Sequence, residues 1–275
     1  MKKKIKIKWL NLLVLFILLM CLLGLTISII NIVKWTIDKN NTKNQVEKIE
    51  EVIEVEEIPD TDNTEIIEQI EEPPESNPYW DYIKMNMIYV NFGELKLINE
   101  NVKGWIQVNG TNINYPFVQA NDNKYYLTHS FNKSYNQAGW VFLDYRNNIE
   151  SMNKNTIIYA HGRTDTTMFG SLKNIVKSNW YNNSDNYVIK LSTEYENTLW
   201  QVFSVYHIET TSDYLQIDFS SDSEYQIFLN KLINRSVFNF NTAINSNDSI
   251  LTLSTCYNKT EKVVMHAKLI KRESR

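Results

Sequence analysis

Two residues able to form bonds or move protons stand at the ends of apolar runs in this sequence. Cys256 closes ILTLSTC, just where β-branched and apolar residues give way to the polar YNKTE. His161 follows NTIIYA and precedes Gly162 and Arg163, a second strand-to-loop boundary. A thiol at its ordinary pKa of about 8.5 is only a few per cent thiolate near neutral pH, so a cysteine nucleophile needs a proton-exchanging partner. Four histidines could serve: His129, His161, His207 and His266. Spacing alone does not choose among them, although His161 shares the strand-end placement of Cys256. His266 alternates with Lys262, Val264 and Lys268 along a β-rich run, and His129 sits in YYLTHSF; both read as packing or surface residues. Acyl transfer by a thiol also needs donors for the developing oxyanion, from backbone N–H groups or a cation. Near Cys256 the cations are Lys259, Lys262, Lys268 and, further on, Arg272. Lys262 opens the strand after the cysteine loop, where a solvated lysine on the barrel exterior is the competing reading.

The elements that must carry these residues are short. After Gly104 the pattern is β-rich: 105–108, 113–118, 140–143, 156–160, 187–191, 199–206, 250–255 and 263–270, punctuated by Asn-Gly, Asn-Asp and Asn-Asn pairs. Eight strands with few long helices are most simply closed into a barrel, which removes exposed edges. One helix interrupts them. Ser221-x-x-Glu224 forms a capping box, and Tyr225, Phe228, Leu229 and Leu232 follow at i, i+3, i+4, i+7. An earlier helix is expected from Pro78, capped by Ser76 and Asn77, with Trp80, Ile83, Met87 and Ile88 on one face and a break near Gly93.

The N-terminal third has a different character. Five lysines lie among residues 1–8, and 25 uncharged residues follow from Trp9 to Val33. About 20 apolar residues cross a bilayer, and a cleaved signal peptide would be roughly half as long. The expectation is a transmembrane helix over 9–33, with 1–8 cytoplasmic and everything beyond Lys34 outside the cell. Residues 38–77 hold 14 acidic and three basic side chains, no aromatics, and Pro73-Pro74. Self-repulsion and a poverty of apolar surface predict a disordered acidic tether over 34–77. The domain proper is then 78–275, with 19 basic and 18 acidic residues and no basic stripe, which excludes a nucleic-acid partner. Its one cysteine beyond the apolar run rules out an internal disulfide.

The segments VKGWIQVNGTNINYPFVQANDNKYYLTHSF (102–131), NTIIYAHGRTDTTMFGSL (155–172) and LTLSTCYNKTEKVVMHAKL (251–269) resemble class B sortases, as do the D-x-R-N run at 144–147 and FSVY at 203–206. The resemblance spans nearly the whole domain in order. It implies an eight-stranded sortase-type β-barrel with peripheral helices, and a membrane-anchored cysteine transpeptidase that uses no cofactor. Matched residue by residue, Cys256 corresponds to the nucleophile and His161 to the family histidine. Asn123, Leu127, Tyr159, Ser254 and Thr255 match positions near the substrate groove. Counting back from His266-Ala267-Lys268-Leu269 puts Lys262 where the family has arginine. Lysine keeps the charge and loses the planar fork, so Arg163 is an alternative cation, and a short 257–261 loop would upset the alignment. Ala160 also replaces a common glycine.

The implied partners are exported surface proteins bearing a C-terminal sorting motif, an amine of a cell-wall precursor or protein as acceptor, and the membrane through residues 9–33. Three other readings compete: a thiol endopeptidase that ends in hydrolysis, a weakly catalytic binding or scaffold protein on the same fold, and an adhesin on a stalk. No metal-ligand spacing is evident.

Overall fold

Alternating apolar residues in the strands of this domain need a closed interior, and the computed structural model supplies it. The structure describes residues 9–67, 79–256 and 260–275. Along the chain, helix α1 (Trp9–Val52) is followed by strands β1 (Val55–Ile58) and β2 (Thr64–Ile66), the short helix α2 (Tyr79–Ile83), β3 (Met87–Val90) and α3 (Gly93–Ile98). Strands β4 (Val102–Val108), β5 (Asn114–Val118), β6 (Phe142–Leu143) and β7 (Asn155–Tyr159) come next. Then follow α4 (Ser178–Tyr181), β8 (Val188–Thr193), β9 (Glu196–Glu209), α5 (Asp222–Arg235), β10 (Ile250–Cys256) and β11 (Glu261–Ser274).

Eight of these strands close on themselves in the order β10-β7-β6-β5-β4-β8-β9-β11, with β11 returning to pair with β10. Most neighbours are antiparallel, while β10–β7 and β5–β6 are parallel. Trp105, Ile106, Leu191, Trp200, Leu251 and Met265 are among the buried residues of the interior. A second, smaller core lies where the amphipathic face of α5 (Tyr225, Phe228, Leu229, Leu232) covers Phe203, Tyr206 and Val264. The Ser221 side chain caps α5 by accepting from Glu224 N (3.1 Å), as its capping box requires. The Glu224 carboxylate, however, reaches Ser220 rather than closing the box on Ser221.

The N-terminal third departs from expectation. The acidic segment is not a disordered tether over its described part: α1 continues past the apolar run to Val52, and β1 and β2 pair with β3 and β11. Thr42 and Ile49 are buried, and Asn136 Nδ2 donates to Thr42 Oγ1 (3.0 Å). Two acidic groups of this segment find basic partners in the barrel. Glu57 binds Lys190 (2.7 Å), and Asp60 binds Lys271, a buried lysine that also donates to Ile83 O and Met85 O. At Glu57 and Asp60, basic partners far along the chain thus set attraction against self-repulsion. The apolar Val46, Ile49, Ile53, Val55 and Ile58 pack on the barrel at the same time.

The expected helix through Ile88 is also corrected. It stops at Ile83, and Met87 and Ile88 lie in β3, where pairing with β1 and complete burial outweigh helical spacing. The expected Ser76-Asn77-Pro78 cap, residues 68–75, the basic end 1–8 and residues 257–259 lie outside the described residues, as do the side chains of Trp80 and Cys256.

Candidate active site

Strands β7 and β10 are parallel neighbours in register, Ser254 opposite Tyr159, so the two chemistry-bearing strands end side by side. Cys256 is the last residue of β10, and His161 lies two residues past the end of β7. Across the antiparallel β10–β11 pair, the residue opposite Cys256 is Lys262. These strand ends open into a cleft of about 630 Å³. His161, Lys262, Asn123, Leu127, Tyr159, Ser254 and Thr255 all line it. The expected residues are therefore brought together in one place.

His161 is half-buried, and its Nε2 lies 2.7 Å from the Leu127 carbonyl oxygen. A carbonyl only accepts, so Nε2 carries the hydrogen and, in the neutral ring, Nδ1 holds the lone pair. The backbone on both sides is also fixed: Phe169 N donates to His161 O (3.1 Å), and Gly162 bridges Met168. Gly139 packs against the ring at a φ of +60°, and a Cβ there would come within 2.4 Å of Tyr126 O and 3.1 Å of His161 Cδ2. Only glycine fits both constraints.

One wall of the cleft is braced by a buried carboxylate. Asp144 Oδ2 accepts from Asn123 Nδ2 (2.9 Å), Tyr159 Oη (2.9 Å) and Arg146 Nη2 (2.8 Å), while Oδ1 accepts from Arg146 N and Nε. Burial pushes its pKa up, but the hydrogen bonds from Arg146, Tyr159 and Asn123 outweigh that and hold it below the ordinary carboxylate value. Tyr159, half-buried beside this anion, has its phenol pKa raised by desolvation and then by the carboxylate, so it remains a donor. Thr255 Oγ1 is buried in the cleft lining and has no hydrogen-bond partner among the described residues.

Arg163, the alternative cation, is not among the residues lining the cleft. Its guanidinium is held by Asp165 (2.9 Å) and Thr167 (3.0 Å) and only 9% of its side chain is exposed, a buried pair that stiffens the loop after His161. His129 stacks on Tyr125, with ring centroids 4.1 Å apart, which is a packing role. His266 is buried, not on the surface, and sits in a polar network beneath the cleft. The opposite wall went unread in the sequence: Thr210, Thr211, Ser212, Tyr214 and Leu215 line the cleft, and so does Phe142. These residue types carry no chemical signature, and only the path of the chain puts them there.

Residues 106–270 match the family model of the sortase domain. This chain belongs to the sortase family. Sortase B of Staphylococcus aureus is 38% identical over 184 residues, covering 66% of this chain and 75% of that protein. Among solved structures, a Staphylococcus aureus sortase B–substrate complex superposes with a TM-score of 0.62 at 37% identity, covering 66% of this chain and 84% of that one. The crystal structure of a Bacillus anthracis protein similar to sortase B gives a TM-score of 0.66 at 36% identity, covering 86% and 98%. The sortase is of class B, a cysteine transpeptidase on a closed eight-stranded barrel. Sortases act on proteins that carry sorting motifs, and this one bears an N-terminal helix long and apolar enough to cross a membrane.

Proposed function

We propose that Cys256 is the nucleophile of this sortase, His161 its acid and base, and Lys262 the cation beside the oxyanion, with Asn123, Leu127, Tyr159, Ser254 and Thr255 lining the groove for the sorting motif. The observation that carries the assignment is the shared cleft: His161, Lys262 and the two residues before Cys256 all line it. The Cys256 thiolate adds to the carbonyl carbon of the motif threonine, forming the C–S bond and placing negative charge on the carbonyl oxygen. Lys262 and backbone N–H groups stabilise that charge. As the C–N bond breaks, His161 gives a proton to the departing amine, leaving a thioester. An incoming amine then attacks the thioester, His161 takes its proton, and the thiolate leaves as the new amide forms. The Leu127 carbonyl holds His161 Nε2–H, which directs Nδ1 to this exchange.

The acceptor is an amine of a cell-wall precursor or of another protein. The lysines preceding the apolar run favour a cytoplasmic N-terminus and an extracellular catalytic domain. Helix α1 supports a short reach: 44 residues rising about 1.5 Å each leave only its last 19, docked on the domain, between bilayer and barrel. The test is to incubate the full-length chain in micelles with Asn-Pro-x-Thr-type peptides and an amine, and to follow the products by mass spectrometry. A peptide thioester absent from Cys256→Ala, and a ligated product that requires the amine, are expected. An adduct that persists in Cys256→Ala overturns the assignment.

A further inference from the structure

Residues 210–221 carry the chain from β9 to α5 without regular secondary structure, yet this stretch supplies one wall of the cleft. A wall of that kind has no strand ladder to fix it, and ordering it when a ligand arrives would cost conformational entropy. Three consecutive carbonyl oxygens are instead held by side chains from the barrel. Asn155 Nδ2 donates to Tyr214 O (3.3 Å) and to Gln216 O (2.8 Å), and Arg146 Nη2 donates to Leu215 O (3.0 Å).

Each clamp is fixed in turn by a directional chain. The Tyr206 hydroxyl lies 2.8 Å from His266 Nε2. His266 Nδ1 is 2.9 Å from Thr252 Oγ1, which donates to Asn155 Oδ1 at 2.6 Å. Backbone carbonyls can only accept, so the Tyr214 and Gln216 carbonyls at one end set every proton along the chain. Tyr206 donates to Nε2, neutral His266 donates from Nδ1, and the Asn155 amide is forced to turn its NH2 toward the wall. Arg146 is aimed by the buried Asp144, which also holds Asn123 and Tyr159 on the opposite wall. The Tyr214 side chain completes the arrangement, its hydroxyl 2.9 Å from Ser254 Oγ, two residues before Cys256.

We propose that Asn155 and Arg146 are positioning residues for peptide recognition: they hold residues 214–216 as a wall in place before the sorting peptide arrives. This rests on the reading of the cleft as the peptide groove. Asn155→Asp keeps the shape and the acceptor for Thr252 but turns an oxygen toward two carbonyls, while Arg146→Gln removes the reach to Leu215. In the full-length chain, each variant is expected to raise KM for an Asn-Pro-x-Thr peptide about tenfold, with kcat within about threefold, as loss of hydrogen bonds to a preordered wall implies. Amide hydrogen exchange across 210–217 should accelerate by a similar factor, the rate of Cys256 alkylation by iodoacetamide should stay unchanged, and Arg146→Lys should recover part of the KM.

Unchanged KM and unchanged exchange in both variants overturn the proposal, and so does a loss confined to kcat. If Asn155→Asp does not fold, Arg146→Gln decides by the same readings, since that side chain is 37% exposed. If no peptide reacts with the unmodified chain, the peptide-groove reading falls by itself. Faster exchange in 210–217 then still upholds the clamp, and unchanged exchange overturns it.

Discussion

Two imidazoles in this sortase stand in contrasting settings, one lining the cleft and one buried away from it. His161 is half-buried in the cleft lining, with one nitrogen tied to a carbonyl. His266 is fully buried below, with both nitrogens spent on Tyr206 and Thr252. Burial first, and then the positive Arg235, push the pKa of His266 down to about 3, so it stays neutral and serves as a fixed connector. On the proposed assignment, the same side chain is thus a reagent where one nitrogen is spared and a structural link where none is.

The comparison breaks most sharply under alanine. His161→Ala is expected to cut amine-dependent transpeptidation by about a thousandfold, the scale of a lost acid–base group, while leaving the thermal midpoint nearly unchanged. Lys262→Ala should cost about a hundredfold in kcat and Lys262→Arg little, as expected for a cation at the oxyanion; equal losses in both would place Lys262 outside the chemistry. His266→Val should do the reverse of His161→Ala. It strands the hydroxyls of Tyr206 and Thr252 and is expected to destabilise the fold by about 2–4 kcal/mol in denaturant titrations, with a far smaller loss of rate per folded molecule.

Acid sharpens the contrast further. The folded-state pKa of His266, about 3, lies below its unfolded value of 6.5, so the unfolded chain binds the extra proton between those two values. Its stabilising contribution is therefore complete above pH 6.5 and declines as pH falls toward 3. By pH 5 the loss attributable to this one residue should reach about 2 kcal/mol, and it should be missing from His266→Val measured in the same series. Equal acid slopes in the two proteins would remove His266 from the account. The smallest expected effect is that of Tyr206→Phe, which deletes the donor to Nε2 and should cost about 1 kcal/mol at pH 7.

The strands and the cysteine's position at a strand end were legible because they are written in local periodicity: alternation from Ile250 to Thr255, and i, i+3, i+4 spacing from Tyr225 to Leu232. Met87 and Ile88 misled for the same reason, since helical spacing over a few residues cannot reveal that a second strand will pair with them. Alternation read His266 as a packing or surface residue, but it could not tell a buried connector from a surface ring. His161 and His266 both follow apolar runs, and what differs is whether Tyr206 and Thr252 stand on both sides of the ring.

By itself, the sequence determined the apolar span at 9–33, the set of barrel strands, the capped α5 and, through motif resemblance, the family. Only the tertiary structure decided that the acidic segment folds onto the barrel and that residues 214–216 are clamped. The reason is reach. Element formation follows from neighbours a few positions apart, whereas Glu57 meets Lys190 across 133 positions and Asp60 meets Lys271 across 211. Whether a charge repels its neighbours or finds a partner depends on contacts that exist only once the barrel has closed.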